Sequence, residues 1–215
     1  MLRPVQGRGA DDDGVVETVP FQGLIRFERQ APVRQVSYYI CGELIEPQYY
    51  TELYYTLRTA TDTDLIYIHL NSPGGDFNTG LQIINNIAAS EAKVVTVLEA
   101  RAYSMAAMIF LSGDELYVHD NCQLMLHTYS GIFSGKGNEQ QAEVAAVGKW
   151  FEKVMRRICA RFLSDEELDN IIKGSDFWMD SDEIRRRLAK DARPAGKRST
   201  ARKTPARKRA TGASR

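Results

Sequence analysis

The 215-residue sequence contains no apolar run that could span a bilayer. Its longest wholly apolar stretches, such as Met105–Leu111, fall far short of the ~20 residues a transmembrane helix needs. Residues 1–19 lack an apolar h-region and instead carry Arg3, Arg8 and the run Asp11–Asp13, so neither a secretory signal nor a membrane partner is expected. Cysteine is scarce: Cys41, Cys122 and Cys159 are odd in number, far apart, and each embedded in apolar neighbours. That pattern excludes a disulfide framework and a clustered zinc site, and predicts reduced, buried thiols in a cytoplasmic protein. Neither GxGxxG nor the eight-residue phosphate-loop pattern ending in Gly-Lys-Ser/Thr occurs, so no ATP site of that kind, no metal and no other cofactor is expected in this chain. From Asp191 onward Val, Ile, Leu, Met, Phe, Trp, Tyr and Cys are all missing. Such a segment cannot build a core and is expected to be disordered.

What remains is an ordinary globular composition, 43% hydrophobic and 26% charged, long enough for one domain with a real core. The net charge of zero hides a split. Arg185–Arg215 holds thirteen Lys/Arg and one Asp (+12), leaving fifteen basic and twenty-seven acidic residues (−12) in the rest. The expected plan is a mobile arm at 1–20, one domain at 21–188 and a basic tail at 189–215. The tail reads either as a solubilising extension or as an electrostatic dock for nucleic acid or an acidic protein.

Periodicity predicts strands near 24–27 and 36–41, the latter closed by Gly42. A helix follows over about 46–59, with Pro47 in its first turn. Leu65–Leu70 reads as a strand, Asn71–Asp76 as a tight turn, and about 77–90 as a helix. Another strand, Lys93–Leu98, leads by a short turn to an apolar helix, Met105–Leu111. Strands at Glu115–Val118 and Cys122–His127 precede a long amphipathic helix over about 139–163, with Val147, Trp150, Phe151, Val154, Met155, Ile158 and Cys159 on its apolar side. Ser164 and Glu167 form a capping box for the next helix. Alternating strands and helices imply an α/β fold with parallel pairing.

Three short segments carry chemistry. Asn71-Ser72-Pro73-Gly74-Gly75-Asp76 joins a strand to a helix, a setting where glycine can turn backbone N–H groups toward a ligand. Ser104 is the one hydroxyl at the start of an apolar helix, where developing negative charge is favoured. Small Ala102 and Ala106 are expected to leave room there for a substrate backbone, although serine is also a preferred N-cap. His127 closes an apolar strand, on one face with Gln123 and Met125. Of the other histidines, His69 shares a face with Tyr67 and Asn71 and His119 sits in a polar turn.

Taken in order, Asn-Ser-Pro-Gly-Gly, then Ala102-Tyr103-Ser104-Met105-Ala106, then Met125-Leu126-His127, these segments resemble the Clp peptidase family of ClpP-like serine peptidases, over about Val36 to Ile184. The resemblance implies a crotonase-like spiral of repeated β-β-α units with a protruding long helix. It implies Ser104 as nucleophile, His127 as base, and the amides of Gly75 and Met105 as an oxyanion hole. The third member of the triad falls on Asp176, in Ser175-Asp176-Phe177-Trp178-Met179, while Asp180 and Asp182 fit a helix cap better. It further implies endopeptidase action on unfolded polypeptides inside stacked, usually heptameric rings, fed by a separate Clp-type ATPase that uses the ATP. Tyr103, Ala106 and Thr128-Tyr129 depart from the family pattern, and the closing Tyr-Gly-Leu-Ile/Val-Asp strand is replaced by Ile184–Leu188 (IRRRL).

Other readings of the same residues are a Ser–Lys or capsid-maturation-type peptidase using Lys136, Lys149 or Lys153, an acyl-CoA hydratase-like protein, and a non-catalytic ring that presents basic tails to nucleic acid. An α/β-hydrolase is excluded by the lack of Gly-x-Ser-x-Gly and by the residue order. Seven of the ten tyrosines lie between Tyr38 and Tyr67, six of them in the doublets Tyr38-Tyr39, Tyr49-Tyr50 and Tyr54-Tyr55, and a helix cannot bury both members of a doublet on one face. Tyr49 or Tyr55 is therefore expected at a subunit or partner interface.

Overall fold

The computed structural model describes residues 24–29 and 33–191. The arm read at 1–20, and all but the first three residues of the tail read at 189–215, lie outside the described residues.

The molecule is mixed α/β, built on one seven-stranded sheet. β1 (Leu24–Arg29) pairs antiparallel with β2 (Gln35–Cys41). β2, β3 (Leu65–Ser72) and β4 (Lys93–Tyr103) then run parallel. Their even-numbered residues build the core: Val36, Tyr38, Ile40, Ile66, Ile68, Leu70, Val94 and Leu98 are buried, as a period-2 pattern demands of a half-covered sheet. The one hydroxyl in this set on β4, Thr96, is satisfied by donating to the Phe110 carbonyl at 2.6 Å. That alternation also corrects the expectation of three buried thiols. Cys41 sits at an odd position of β2 and is exposed, whereas Cys122 and Cys159 are buried; all three are free.

Residues expected as one helix over 46–59 divide into a 3₁₀ turn, Pro47–Tyr50, and α1, Thr51–Thr59. α2 (Phe77–Ala89) is capped by Asp76, whose Oδ1 accepts from the Thr79 amide at 2.7 Å. α3 (Met105–Phe110) is short and wholly buried, so it is held by packing rather than by propensity.

β4 is the longest strand, at 11 residues, and it changes partners along one edge. Val95–Leu98 pair with β5 (Glu115–Val118), and Arg101–Tyr103 pair with β6 (Gln123–Leu126). On its other edge the pairing with β3 shifts between Leu70 and Ser72, so the end of β4 is carried past a bulge toward α3.

α4 (Gly137–Cys159) is the long amphipathic helix. Phe151, Val154, Met155 and Cys159 are buried as expected, but Trp150 stays 44% exposed. α5 (Asp165–Ile172) carries the expected Ser164/Glu167 capping box. A strand missing from the sequence reading follows: β7 (Phe177–Asp180), antiparallel to β6. The IRRRL segment lies in α6 (Ser181–Asp191), with Ile184 buried. Arg187 of α6 bonds both carboxylate oxygens of Glu167 at 2.9 and 2.7 Å and lies 5.2 Å from the Phe177 ring centroid, clamping α5, α6 and β7 together. Among the described residues no helix is long and apolar enough to cross a membrane.

Candidate active site

Ser104 stands where β4 becomes α3. Its φ of 54° and ψ of −122° make it the only non-glycine residue with positive φ among the described residues. A side chain in such a region costs on the order of 1–3 kcal/mol, so the surroundings must enforce it. Backbone bonds do so: the Ser104 amide donates to Met125 O at 2.8 Å, and its carbonyl accepts from the amides of Ala107 and Met108 at 3.1 and 3.3 Å. The capping alternative fails here, because the Ser104 hydroxyl makes no cap hydrogen bond to α3. A strained hydroxyl on a sharp strand-to-helix turn is the geometry that exposes a nucleophile.

The glycine turn lies directly against it. At Gly74 (φ 95°) an added Cβ would come within 2.8 Å of Ser104 Cβ and 2.7 Å of Tyr103 O. At Gly75 (φ 136°) it would meet Leu44 O at 2.3 Å. The turn is fixed by Leu44 N donating to Gly74 O at 2.7 Å and Asp76 N donating to Leu44 O at 2.8 Å. Those bonds use the groups flanking Gly75, so its own N–H points to the opposite edge of the chain. The Met105 amide is the first of α3 and has no intrahelical acceptor. Gly75 and Met105 line the same cavity as Ser104.

Gly75, Ser104, Met105 and His127 line one cavity of about 60 Å³. Its remaining wall is largely apolar, formed by Phe77, Met108, Tyr129 and Phe151. The rings interlock: Phe77 and Tyr129 lie 5.9 and 5.4 Å from Phe151. These wall residues escaped the sequence reading. Their one signal was Tyr129 following His127 so closely, and Phe151 on the inner side of the long helix. No lysine lines the cavity. Ala102 and Ala106 do not open space for a substrate as expected; both are fully buried and let β4 and α3 approach each other.

Asp176 is exposed and does not line the cavity. The antiparallel register nevertheless relates it to His127. The pairs run from Gln123↔Asp180 to Leu126↔Phe177, where the ladder ends; His127 directly follows β6 and Asp176 directly precedes β7. In this structure no hydrogen bond joins Ser104 to His127 or His127 to Asp176, and catalytic bonds of this kind commonly tighten only with substrate in place. Asp180 caps α6 as expected, its Oδ1 accepting from the Glu183 amide at 2.9 Å.

The other two histidines gather elsewhere, on the open face of the sheet. His69 stacks on Tyr39 at 4.2 Å and its Nδ1 lies 2.6 Å from Glu99 Oε1. His119 Nε2 lies 3.5 Å from Glu99 Oε2. Tyr49 and Tyr55 are 43% and 69% exposed in the single chain.

Comparison with known proteins supplies the last constraint. The Clp protease family model matches residues 41–186, which contains every residue of the candidate site. The ATP-dependent Clp protease proteolytic subunit of Lactococcus lactis subsp. cremoris is 30% identical over 134 residues, covering 59% of this chain and 66% of that protein. The proteins of the same name from Streptococcus uberis and Leuconostoc citreum are 30% and 28% identical over the same length, covering 67% and 66% of their chains. With the family model spanning well over half of the sequence and the strained serine, glycine turn and histidine all inside it, the chain belongs to the Clp protease family.

Proposed function

We propose that the protein is a serine endopeptidase of unfolded polypeptides, acting through Ser104, His127 and Asp176. The observation that carries this reading is the backbone of Ser104, strained at φ 54° and uncapped, opening on a cavity shared with His127. His127 takes the hydroxyl proton as Ser104 attacks the peptide carbonyl, and returns it to the leaving amine. An acyl-enzyme forms, and water releases it by the same route in reverse. The negative oxygen that develops is met by the amides of Gly75 and Met105, and one such donor is typically worth roughly 10²–10³-fold in rate. Asp176, which precedes β7 as His127 follows its partner strand β6, holds the imidazole in its working tautomer. The apolar wall of Phe77, Met108, Tyr129 and Phe151 suits an apolar side chain on the acyl side of the bond.

A cytoplasmic assembly of stacked rings, fed by a Clp-type ATPase, completes the proposal; family membership supports it. The exposed Tyr49 and Tyr55 are then subunit or partner contacts. The basic segment after Arg185 offers charge for nucleic acid or an acidic protein, to be tested by the salt dependence of any such binding. A Ser–Lys mechanism is disfavoured by the cavity, which holds an imidazole and no ammonium. The deciding experiment is fluorophosphonate labelling. Modification of Ser104 that disappears in His127→Ala supports the pair, and a wild-type chain that neither labels nor hydrolyses peptides in any assembly state rejects it.

A further inference from the structure

Two residues before His127, a row across the sheet carries two aromatic side chains. The register places Tyr103, Met125 and Trp178 side by side across β4, β6 and β7. Their neighbours Ala102, Leu124 and Met179 are buried on the opposite face, so this row points outward. Trp178 is 51% exposed although it is the largest side chain of its strand. The row is also ordered. Tyr103 and Trp178 meet edge to face at 5.2 Å, the Tyr103 hydroxyl donates to Gln123 Oε1 at 2.7 Å, and the Arg101 guanidinium lies 5.8 Å from the Tyr103 ring centroid. Nothing in the fold of the single chain explains an aromatic pair fixed in place and left in solvent.

We propose that Tyr103 and Trp178 form a substrate platform that receives an apolar or aromatic side chain on the leaving-amine side of the scissile bond. The inference rests on the peptidase reading above. The cavity and the platform lie on either side of His127 along the chain: Thr128 and Tyr129 contribute to the cavity, and Met125 to the platform. One rung along a strand is about 7 Å, which is also the spacing of side chains on one face of an extended peptide. A peptide whose acyl-side residue fills the cavity therefore runs past the imidazole, which must protonate the leaving amine, and its next residues reach the Tyr103–Trp178 pair. An exposed indole edge beside a tyrosine ring offers apolar area at little entropic cost and selects against charge.

The test uses the full-length chain and internally quenched peptides that differ only in the residue after the scissile bond: Phe, Leu, Gly or Asp. Wild type is expected to prefer Phe over Gly by about tenfold in kcat/KM, the usual scale for one apolar contact. Trp178→Ala should reduce that ratio to within about twofold, Trp178→Phe should restore much of it, and Tyr103→Ala should fall between. Fluorophosphonate labelling of Ser104 should proceed at the wild-type rate in all three variants, because that probe lacks the tested residue. Wild type that labels and cleaves while Trp178→Ala leaves the Phe:Gly ratio untouched overturns the platform and spares the peptidase reading. Loss of activity on every peptide together with a smaller particle by light scattering makes Trp178 a subunit contact, and likewise overturns it. Wild type that neither labels nor cleaves removes both.

Discussion

One histidine stands on the sheet, on β3, and another just past the end of β6, and their surroundings diverge. His69 lies flat on Tyr39 with its Nδ1 against Glu99, a carboxylate that also reaches His119. Among the described residues no other non-glycine residue is strained to positive φ, so neither imidazole has a counterpart of Ser104. His127 shares a cavity with Ser104, Gly75 and Met105, and the exposed Asp176 lies just beyond the last β6–β7 pair. On hydrogen bonding alone His69 is the better-furnished imidazole. What distinguishes the candidate active site is the backbone: a serine forced to positive φ, with a glycine turn packed against it. An imidazole beside a carboxylate is common structural furniture; one beside an activated backbone is a machine part.

The comparison can be broken most decisively at the hydroxyl. Ser104→Ala should reduce peptide hydrolysis by roughly 10⁵-fold or more, as loss of a nucleophile does in other serine peptidases. His69→Ala and His119→Ala should each leave kcat within about twofold, because neither touches the cavity. Equal losses at His69 and His127 would collapse the distinction. Asp176→Asn should lower kcat by about 10³–10⁴-fold with little change in KM, the signature of a wrongly held tautomer; a steady-state comparison at one pH suffices. Gly75→Ala should cost about 10²–10³-fold, because the new methyl meets Leu44 O at 2.3 Å and displaces the donor. Its melting temperature should be followed in parallel, to separate a displaced amide from an unfolded chain.

The smallest effect concerns the clamp behind β7. Arg187 bonded to Glu167 holds that carboxyl down at about 2, aided by the Ser164 backbone amide. The folded value lies below the unfolded one, so the stabilisation is complete above about pH 4.5 and drains away as pH falls toward 2. Its size is on the order of 2–3 kcal/mol. Glu167→Gln should accordingly melt lower than wild type at pH 7, with the gap in Tm closing in acid. A gap independent of pH would mean that the clamp acts by shape alone.

Much of the fold was legible because it rests on period. Alternation in β2 and β3, the apolar wheel of α4 and the Ser164/Glu167 box all state their structure locally. The site was legible as far as residue type and order carry it, through Ser104, His127 and the Pro-Gly-Gly turn. Three features were not legible, for separable reasons. β7 is four residues long, too short for a pattern, and exists because β6 pairs with it. The Phe77, Met108, Tyr129 and Phe151 wall draws on α2, α3, a loop and α4, which only tertiary packing brings together. Cys41 is exposed because its apolar neighbours in sequence are not its neighbours in space: strand residues alternate between faces.

The bulge in β4 imposes an arithmetic on the chain. Between Leu70 and Ser72 the strand β3 advances two residues, while its partner advances four, from Leu98 to Ala102. The surplus is two, an even number, so Leu98 and Ala102 both face inward and are fully buried. One residue more or fewer at Glu99–Ala100 would turn every later side chain of the strand through the sheet, sending Ala102 into water and Tyr103 into the core. Loop engineering at this point is therefore quantised: a pair of inserted residues keeps the two faces of the strand that leads into Ser104, and a single one cannot.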